Sequence, residues 1–405
     1  MQPPEAAVAI VAMAGRYPGG RTLEHFWQTL ASGTDCITEI PPDRWSLDDF
    51  YVADTERAVK EGRSYSKWGG FIEGLEQSDQ AAELAFMQLI GTMLESAGIA
   101  RREIRTHFRA DVGVYLGARA DGILGTMPID LANSVAAFLG SRGPSIAIDA
   151  NCASAMAAIH VACQGLRRGD CSIAIAGGIN LLEKESYVHL SRIGVAAASE
   201  QCRSFGNGRG MLPAEAMGVL LLMPLARAVA DGAQVLGVIT ATTLASMGAQ
   251  SANPPAMRGA ISSTLTKAGI DARAISYVEA AAMGGALVDS IEFSALASVF
   301  SESGVPRSSC PIGAVKSNVG HARGCSGMPQ IAKVLLQIQQ RRLVPSIKAD
   351  PPNPDIDFAA SPFYLQRDLS AWHRPPRALI NCMGGGGAIV NIVIEQFKAA
   401  QQLPA

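Results

Sequence analysis

Short apolar runs alternate with amphipathic stretches along nearly all of the 405-residue chain, which is the pattern of an α/β protein built in layers. The clearest strand runs are Val8 to Ala12, Asp111 to Leu116, Ser145 to Ile148, Ser172 to Ala176 and Gly218 to Met223. A second series covers Val235 to Thr243, Tyr277 to Ala280, Ala378 to Asn381 and Ala388 to Ile394. Helical periodicity marks Leu84 to Ala97, Ala153 to Arg168, Met257 to Ala268, Ser290 to Phe300 and Pro329 to Gln340. The series divide near Asp231, so residues 1–231 and 232–405 read as two similar halves packed on each other.

Composition narrows the class. Hydrophobic residues make up 48% and charged residues 17%, which requires a deep core. Lys plus Arg (34) nearly balances Asp plus Glu (36), which argues against nucleic acid or an acidic membrane as a partner. No apolar run approaches bilayer length, and the opening AAVAIVAMA follows no basic segment, so it reads as a strand and turn. Eight cysteines lie without close CxxC pairs, so neither a zinc site nor a redox pair is indicated. Free thiols in a reducing cytoplasmic setting, with no metal, are the expectation.

The strongest chemical signal is GPSIAIDANCASAMAAIHVAC, from Gly143 to Cys163. A strand run ends at Asp149 and a helix pattern begins just after Cys152, where unpaired N–H groups and the macrodipole favour thiolate. Small neighbours permit a sharp turn that exposes the sulfur for covalent acyl chemistry. The same position also suits a small buried core cysteine, and position by itself leaves both readings open.

This stretch resembles the active-site elbow of β-ketoacyl synthases, DTACSSSLVAIH, with Cys152 at the nucleophile position. The resemblance continues through AIVAMAGRYPGG, FWQTLASGTDCITEIPPDRW, LRRGDCSIAIAGGIN, CRSFGNGRG, LARAVADG and KSNVGHARGCSG, nearly the whole chain. It implies the ketosynthase domain of a modular polyketide synthase. The implied fold is the thiolase fold, five layers α-β-α-β-α in two similar halves, usually a homodimer. The implied partner is an acyl carrier protein that delivers the acyl chain on its phosphopantetheine arm, with no other cofactor. His321 and Lys316 occupy the histidine and lysine positions of the KSNVGH motif. The loop CMGGGGAIVN, with Met383, Gly384 and Gly385, matches the family's oxyanion and gating loop, Met383 replacing the usual phenylalanine. Taken alone, its four glycines read only as a flexible turn, since no phosphate-loop lysine follows.

A second family histidine is absent. Where the family has VEAHGTGTxLGDPIE, this chain has VEAAAMGGALVDSIE, with Ala281 at the histidine position and Ala282 and Met283 after it. Glu279, Asp289 and Glu292 stay in register, so the substitution falls within a preserved scaffold. Alanine neither donates a side-chain hydrogen bond nor moves a proton, and one such donor typically contributes about 3–4 kcal/mol to a developing oxyanion. The expected domain is therefore condensation-incompetent: a transacylase passing chains between carrier proteins through a Cys152 thioester. An inactive dimerisation scaffold and a condensing enzyme with other acid–base groups are the alternatives.

Other departures gather near the expected site: Asn151 and Ala153 within the elbow, PAEAMG from Pro213, a shortened join before Ala81, and a trimmed region at 241–255. They fit relaxed selection and a changed substrate equally. Among the remaining histidines, His25, His107, His160, His189 and His373, none is expected to replace the lost group.

Overall fold

The computed structural model describes residues 5–75, 78–123, 126–248 and 252–398; part of the shortened join before Ala81 and positions 249–251 of the trimmed region lie outside them. In the first half the strands of the main sheet are β1 (Val8–Arg16), β2 (Val112–Gly117), β3 (Ser145–Ile148), β4 (Ile173–Asn180) and β5 (Ala216–Pro224). In the second they are β6 (Gly237–Ser246), β7 (Tyr277–Glu279), β8 (Cys310–Gly313), β9 (Phe363–Leu365), β10 (Arg377–Met383) and β11 (Ala388–Glu395). All join one 11-stranded sheet in the order β9-β8-β7-β10-β11-β6-β1-β5-β4-β2-β3.

Read outward from the β1–β6 junction, the two halves repeat one another. β1 runs antiparallel to β5 and β5 to β4, and then β4, β2 and β3 are parallel. β6 runs antiparallel to β11 and β11 to β10, and then β10, β7, β8 and β9 are parallel. The junction is short: Val8, Ala9 and Ile10 pair with Ile239, Val238 and Gly237.

Six helices complete the layers: α1 (Asp79–Ser96), α2 (Pro128–Leu139), α3 (Ser154–Arg168), α4 (Pro254–Lys267), α5 (Ala286–Glu302) and α6 (Gly327–Gln340). α1 packs on β1 and β5, and α2 on β2 and β3. α4 packs on β6 and β11, with α5 beside it. α3 touches β4 and β2 on one side and β6 and β11 on the other, while α6 touches β5, β1 and β10. The order is α-β-α-β-α, the thiolase fold expected from the resemblance.

A helix between two half-sheets has little solvent face, and the sequences of α3 and α6 reflect this. Along α3, Ala155, Ala157, Ala158, Ala162 and Gly165 keep the outline small. A Cβ at Gly117 of β2 would meet the Ser154 and Ala155 backbone at 2.2 Å, and one at Gly327 would meet Met156 Cγ at 2.1 Å. In α6 the polar residues Gln330, Lys333 and Gln337 are buried and partnered. Gln330 donates to the Ala280 and Asn381 carbonyls, Gln337 accepts from the Val344 amide, and Lys333 pairs with Glu279 at 2.8 Å.

Two strands of the 11-stranded sheet have no counterpart among the sequence expectations. β8 (CPIG) and β9 (FYL) are too short to show a period, and their parallel pairing on both sides of β8 is a tertiary contribution. α1 begins earlier than the apolar pattern predicts because Ser78 caps it, accepting from the Ala81 amide at 3.2 Å. Replacing Lys333 by Met should destabilise the protein by about 3–5 kcal/mol by leaving Glu279 buried without its counter-charge. Urea unfolding at neutral pH measures it, and adding Glu279→Gln should recover much of the loss.

Candidate active site

β3 ends at Ile148, and the next residues reverse the chain into α3. Asp149 Oδ1 accepts from the Asn151 amide at 2.8 Å, and Ser154 Oγ accepts from the Ala150 amide at 2.9 Å and donates to the Asn151 carbonyl at 2.6 Å. Asn151 takes a φ of +56°, a left-handed conformation that asparagine tolerates better than most residues. Cys152 follows, half-buried, just before the first turn of the 15-residue helix α3. The helix start directs N–H groups and the positive dipole end toward that position. The Cys152 carbonyl accepts from Ser326 Oγ at 2.8 Å, which ties the start of α6 to the start of α3.

His321 reaches the same region from the second half. Gly320 before it has a φ of +83°, and a Cβ there would lie 3.0 Å from both the Leu212 carbonyl oxygen and Ala214 Cβ. The His321 amide donates to the Leu212 carbonyl at 2.7 Å and the Ala214 amide donates to the His321 carbonyl at 2.9 Å, so the start of the PAEAMG segment supports this loop. His321 Nδ1 accepts from the Arg323 amide at 2.9 Å, which leaves the proton of a neutral imidazole on Nε2. Burial pushes the His321 pKa down to about 3, and the Lys316 and Arg323 charges act in the same direction. Lys316 is itself buried, and its Nζ has no hydrogen-bond partner among the described residues.

The loop at Ala281 is held by the carboxylates that the sequence keeps in register. Glu292 accepts from the Ala281 and Ala282 amides at 2.7 and 2.8 Å and also from the Asn381 side chain. Asp289 accepts from the Phe205 amide at 3.0 Å and the Gly284 amide at 3.2 Å, and burial raises its pKa to about 7. Glu279 accepts from the Val315 amide at 2.7 Å, at the head of the Lys316 segment. Between β10 and β11, the Gly384 and Gly387 amides close a tight turn at 2.8 and 2.9 Å. A Cβ on Gly384 would meet the Ala150 carbonyl oxygen at 2.4 Å and the Cys152 nitrogen at 3.4 Å, so this loop lies directly on the elbow.

These segments enclose a cavity of about 480 Å³ whose walls include Cys152, Ala281, Lys316, His321, Met383, Gly384 and Gly385, which is every site residue named from the sequence. Apolar side chains from Leu190, Ile193, Val195, Met211, Met247, Val288 and Ile291 form much of the rest. Sequence reasoning did not foresee Arg119 and Arg323 in the wall, and it discounted His189, which also lines it. Arg119 and Arg323 are joined through Asp121: Arg119 Nε meets Oδ1 at 2.8 Å, and Arg323 pairs with Oδ2. The available signal was position, since Arg119 directly follows β2 and the carboxyl ends of parallel strands are where α/β folds place ligands. His160, by contrast, meets Thr242 Oγ1 at 2.8 Å, and burial lowers its pKa to about 4.

The model for the N-terminal domain of β-ketoacyl synthases matches residues 5–228, and that for their C-terminal domain matches residues 233–350. The chain belongs to the β-ketoacyl synthase family. Its ketosynthase sequence is of the polyketide synthase kind: polyketide synthase ThaG of Burkholderia thailandensis is 38% identical over 98% of the chain. Polyketide synthase PksL of Bacillus subtilis is 35% identical, also over 98%. The chain spans only 8% and 10% of those proteins. Among solved structures, an oxazolomycin ketosynthase domain of Streptomyces albus superposes with a TM-score of 0.91 at 35% identity, covering 96% of this chain and 75% of that one. The module 6 ketosynthase of the Bacillus subtilis bacillaene synthase gives 0.90 at 30%, covering 97% and 72%.

In this ketosynthase, His321 should remain neutral from pH 8 down to about pH 4, since its folded pKa near 3 lies below the ordinary histidine value. Because the folded state resists this protonation, the stability tied to neutral His321 is present above pH 6.5 and declines as the pH falls toward 3. A titration of the histidine ring protons by NMR checks this, and a His321 inflection near pH 6.5 would contradict the burial.

Proposed function

We propose that this ketosynthase is condensation-incompetent and acts as a transacylase, taking an acyl chain from one acyl carrier protein and returning it unelongated to another. The observation that carries the reading is the loop at Ala281. Its anchors Glu292 and Asp289 are in place, it borders the Cys152 cavity, and it presents a methyl group there.

Acyl transfer uses the groups that are present. Cys152 thiolate attacks the thioester carbonyl of acyl-phosphopantetheine, forming a C–S bond and a tetrahedral oxyanion. The oxyanion is held by amides of the elbow and of the Met383–Gly385 loop, with His321 Nε2–H as a further donor. Collapse breaks the bond to the pantetheine sulfur, which leaves as thiolate and takes a proton, and the reverse sequence loads the second carrier. Condensation asks for more: decarboxylation of a malonyl group develops an enolate that needs a second side-chain donor. Losing one such donor costs roughly 10²–10³ in rate.

Two similar halves, residues 1–231 and 232–405, are proposed as the units supplying the cysteine and the histidine. A homodimer through the first half is also proposed. β3 lies at the sheet edge beside the elbow, and Ile146 on it is exposed. Light scattering at micromolar concentration should give twice the chain mass.

Intact-mass spectra should show acylation of the protein by simple acyl thioesters and none of Cys152→Ala. Supplied with malonyl carrier protein, the acylated enzyme should release neither carbon dioxide nor a β-ketoacyl product at a useful rate, while acyl return to a carrier thiol proceeds. Rapid β-ketoacyl formation by the unmodified protein would overturn the reading. A gain of condensation in Ala281→His would support it.

A further inference from the structure

The cavity wall is chemically one-sided. Arg119, Lys316 and Arg323 line it, and no carboxylate does among the described residues. The acids nearby are engaged by other groups. Asp121 sits between the two arginines, Asp149 holds the Asn151 amide, and Glu292 holds the Ala281 and Ala282 amides. Arg119 donates through Nε and one terminal nitrogen to the Asp121 carboxylate and through the other terminal nitrogen to Asn151 Oδ1, which places a guanidinium against the residue before Cys152. Its five N–H groups exceed these partners. Lys316 is 2% exposed, and its ammonium has no hydrogen-bond partner among the described residues. A buried donor without an acceptor is costly unless a ligand provides one.

We infer that the acyl chain carried on Cys152 bears a carboxylate, which Arg119 and Lys316 receive, while its methylene segment lies along the apolar wall formed by Val195, Met211 and Ile291. The inference rests on Cys152 being the acylated residue and adds the class of acyl group. A neutral acyl chain would fill the apolar part of the cavity and leave Lys316 unsatisfied. A carboxylate meets the unpartnered Lys316 ammonium and the N–H groups of Arg119 that Asp121 and Asn151 leave over.

The test compares an anionic and a neutral alkylating agent of nearly equal size, iodoacetate and iodoacetamide, with the modified cysteine located by peptide mass mapping. Of the other cysteines six are buried, and burial pushes the remaining one, Cys36, up to about 12, so Cys152 is the thiol read. At low salt the iodoacetate-to-iodoacetamide rate ratio at Cys152 should exceed that of glutathione about tenfold, as expected for a cation near the thiol. Arg119→Gln and Lys316→Met should each lower the ratio several-fold, and Arg119→Lys should keep most of it. The ratio cancels general changes in thiol reactivity or folding.

A second arm offers glutaryl and hexanoyl thioesters of N-acetylcysteamine, with glutaryl transfer to Cys152 expected to be faster. A ratio at or below that of glutathione, together with faster hexanoyl transfer, overturns the carboxylate inference and leaves the transacylase reading standing. A high ratio with no acylation by either thioester supports the anion site and overturns the transacylase reading.

Discussion

Two helices, α3 and α6, lie between two half-sheets, and the requirement that both be buried over most of their surface governs the rest of the structure. It selects alanine and glycine along α3, brings Gly117 against the Ser154–Ala155 backbone, and packs Met156 onto Gly327. At this spacing one methylene too many has no room to relax. Both helices start at the same place, and Ser326 joins them through the Cys152 carbonyl. The site therefore inherits its geometry from the central layer, and loop conformation adds only the final positioning.

Buried carboxylates perform a separate task. Glu279, Glu292 and Asp289 each accept backbone amides from the loops that carry site residues, and Glu279 is balanced by Lys333 across the layer. Because these anchors bind main chain, the identity of the side chain on the anchored loop can change without moving the loop. Ala281 illustrates this: Glu292 holds its amide and that of Ala282, while the side chain at that point is only a methyl group. Positioning and reactivity are encoded by different residues.

Much of this was legible in the sequence, for physical reasons that differ by element. The long strands and α3 announce themselves through apolar runs, and the elbow through a cysteine at a strand-to-helix boundary. β8 and β9 are too short to carry a period and depend on partners distant in the chain. The site residues carried by family motifs all reach one cavity, whereas Arg119 and Arg323 escaped attention because a charged residue in a loop reads by default as solvated. Arg323 is buried and paired with Asp121, some 200 positions away in the chain, and no local pattern records that. His189 lies on the helix Lys184–Arg192, and only the packed structure shows that it meets the cavity.

The three-residue seam between β1 and β6 bears on how such chains can be recombined. The first strand of the sequence closes the edge of the second half as well as of its own, since Val8–Ile10 pair with Gly237–Ile239. A crossover placed between the halves, joining the front of one relative to the back of another, would set an unfamiliar strand against β6 and change the register on which α3 and α6 are clasped. A hybrid that respects this seam must bring Val8–Ile10 with the second half or preserve their side chains. The apparent boundary in the chain is therefore not a boundary in the sheet, and inheritance of the halves is coupled through three residue pairs at the opening strand.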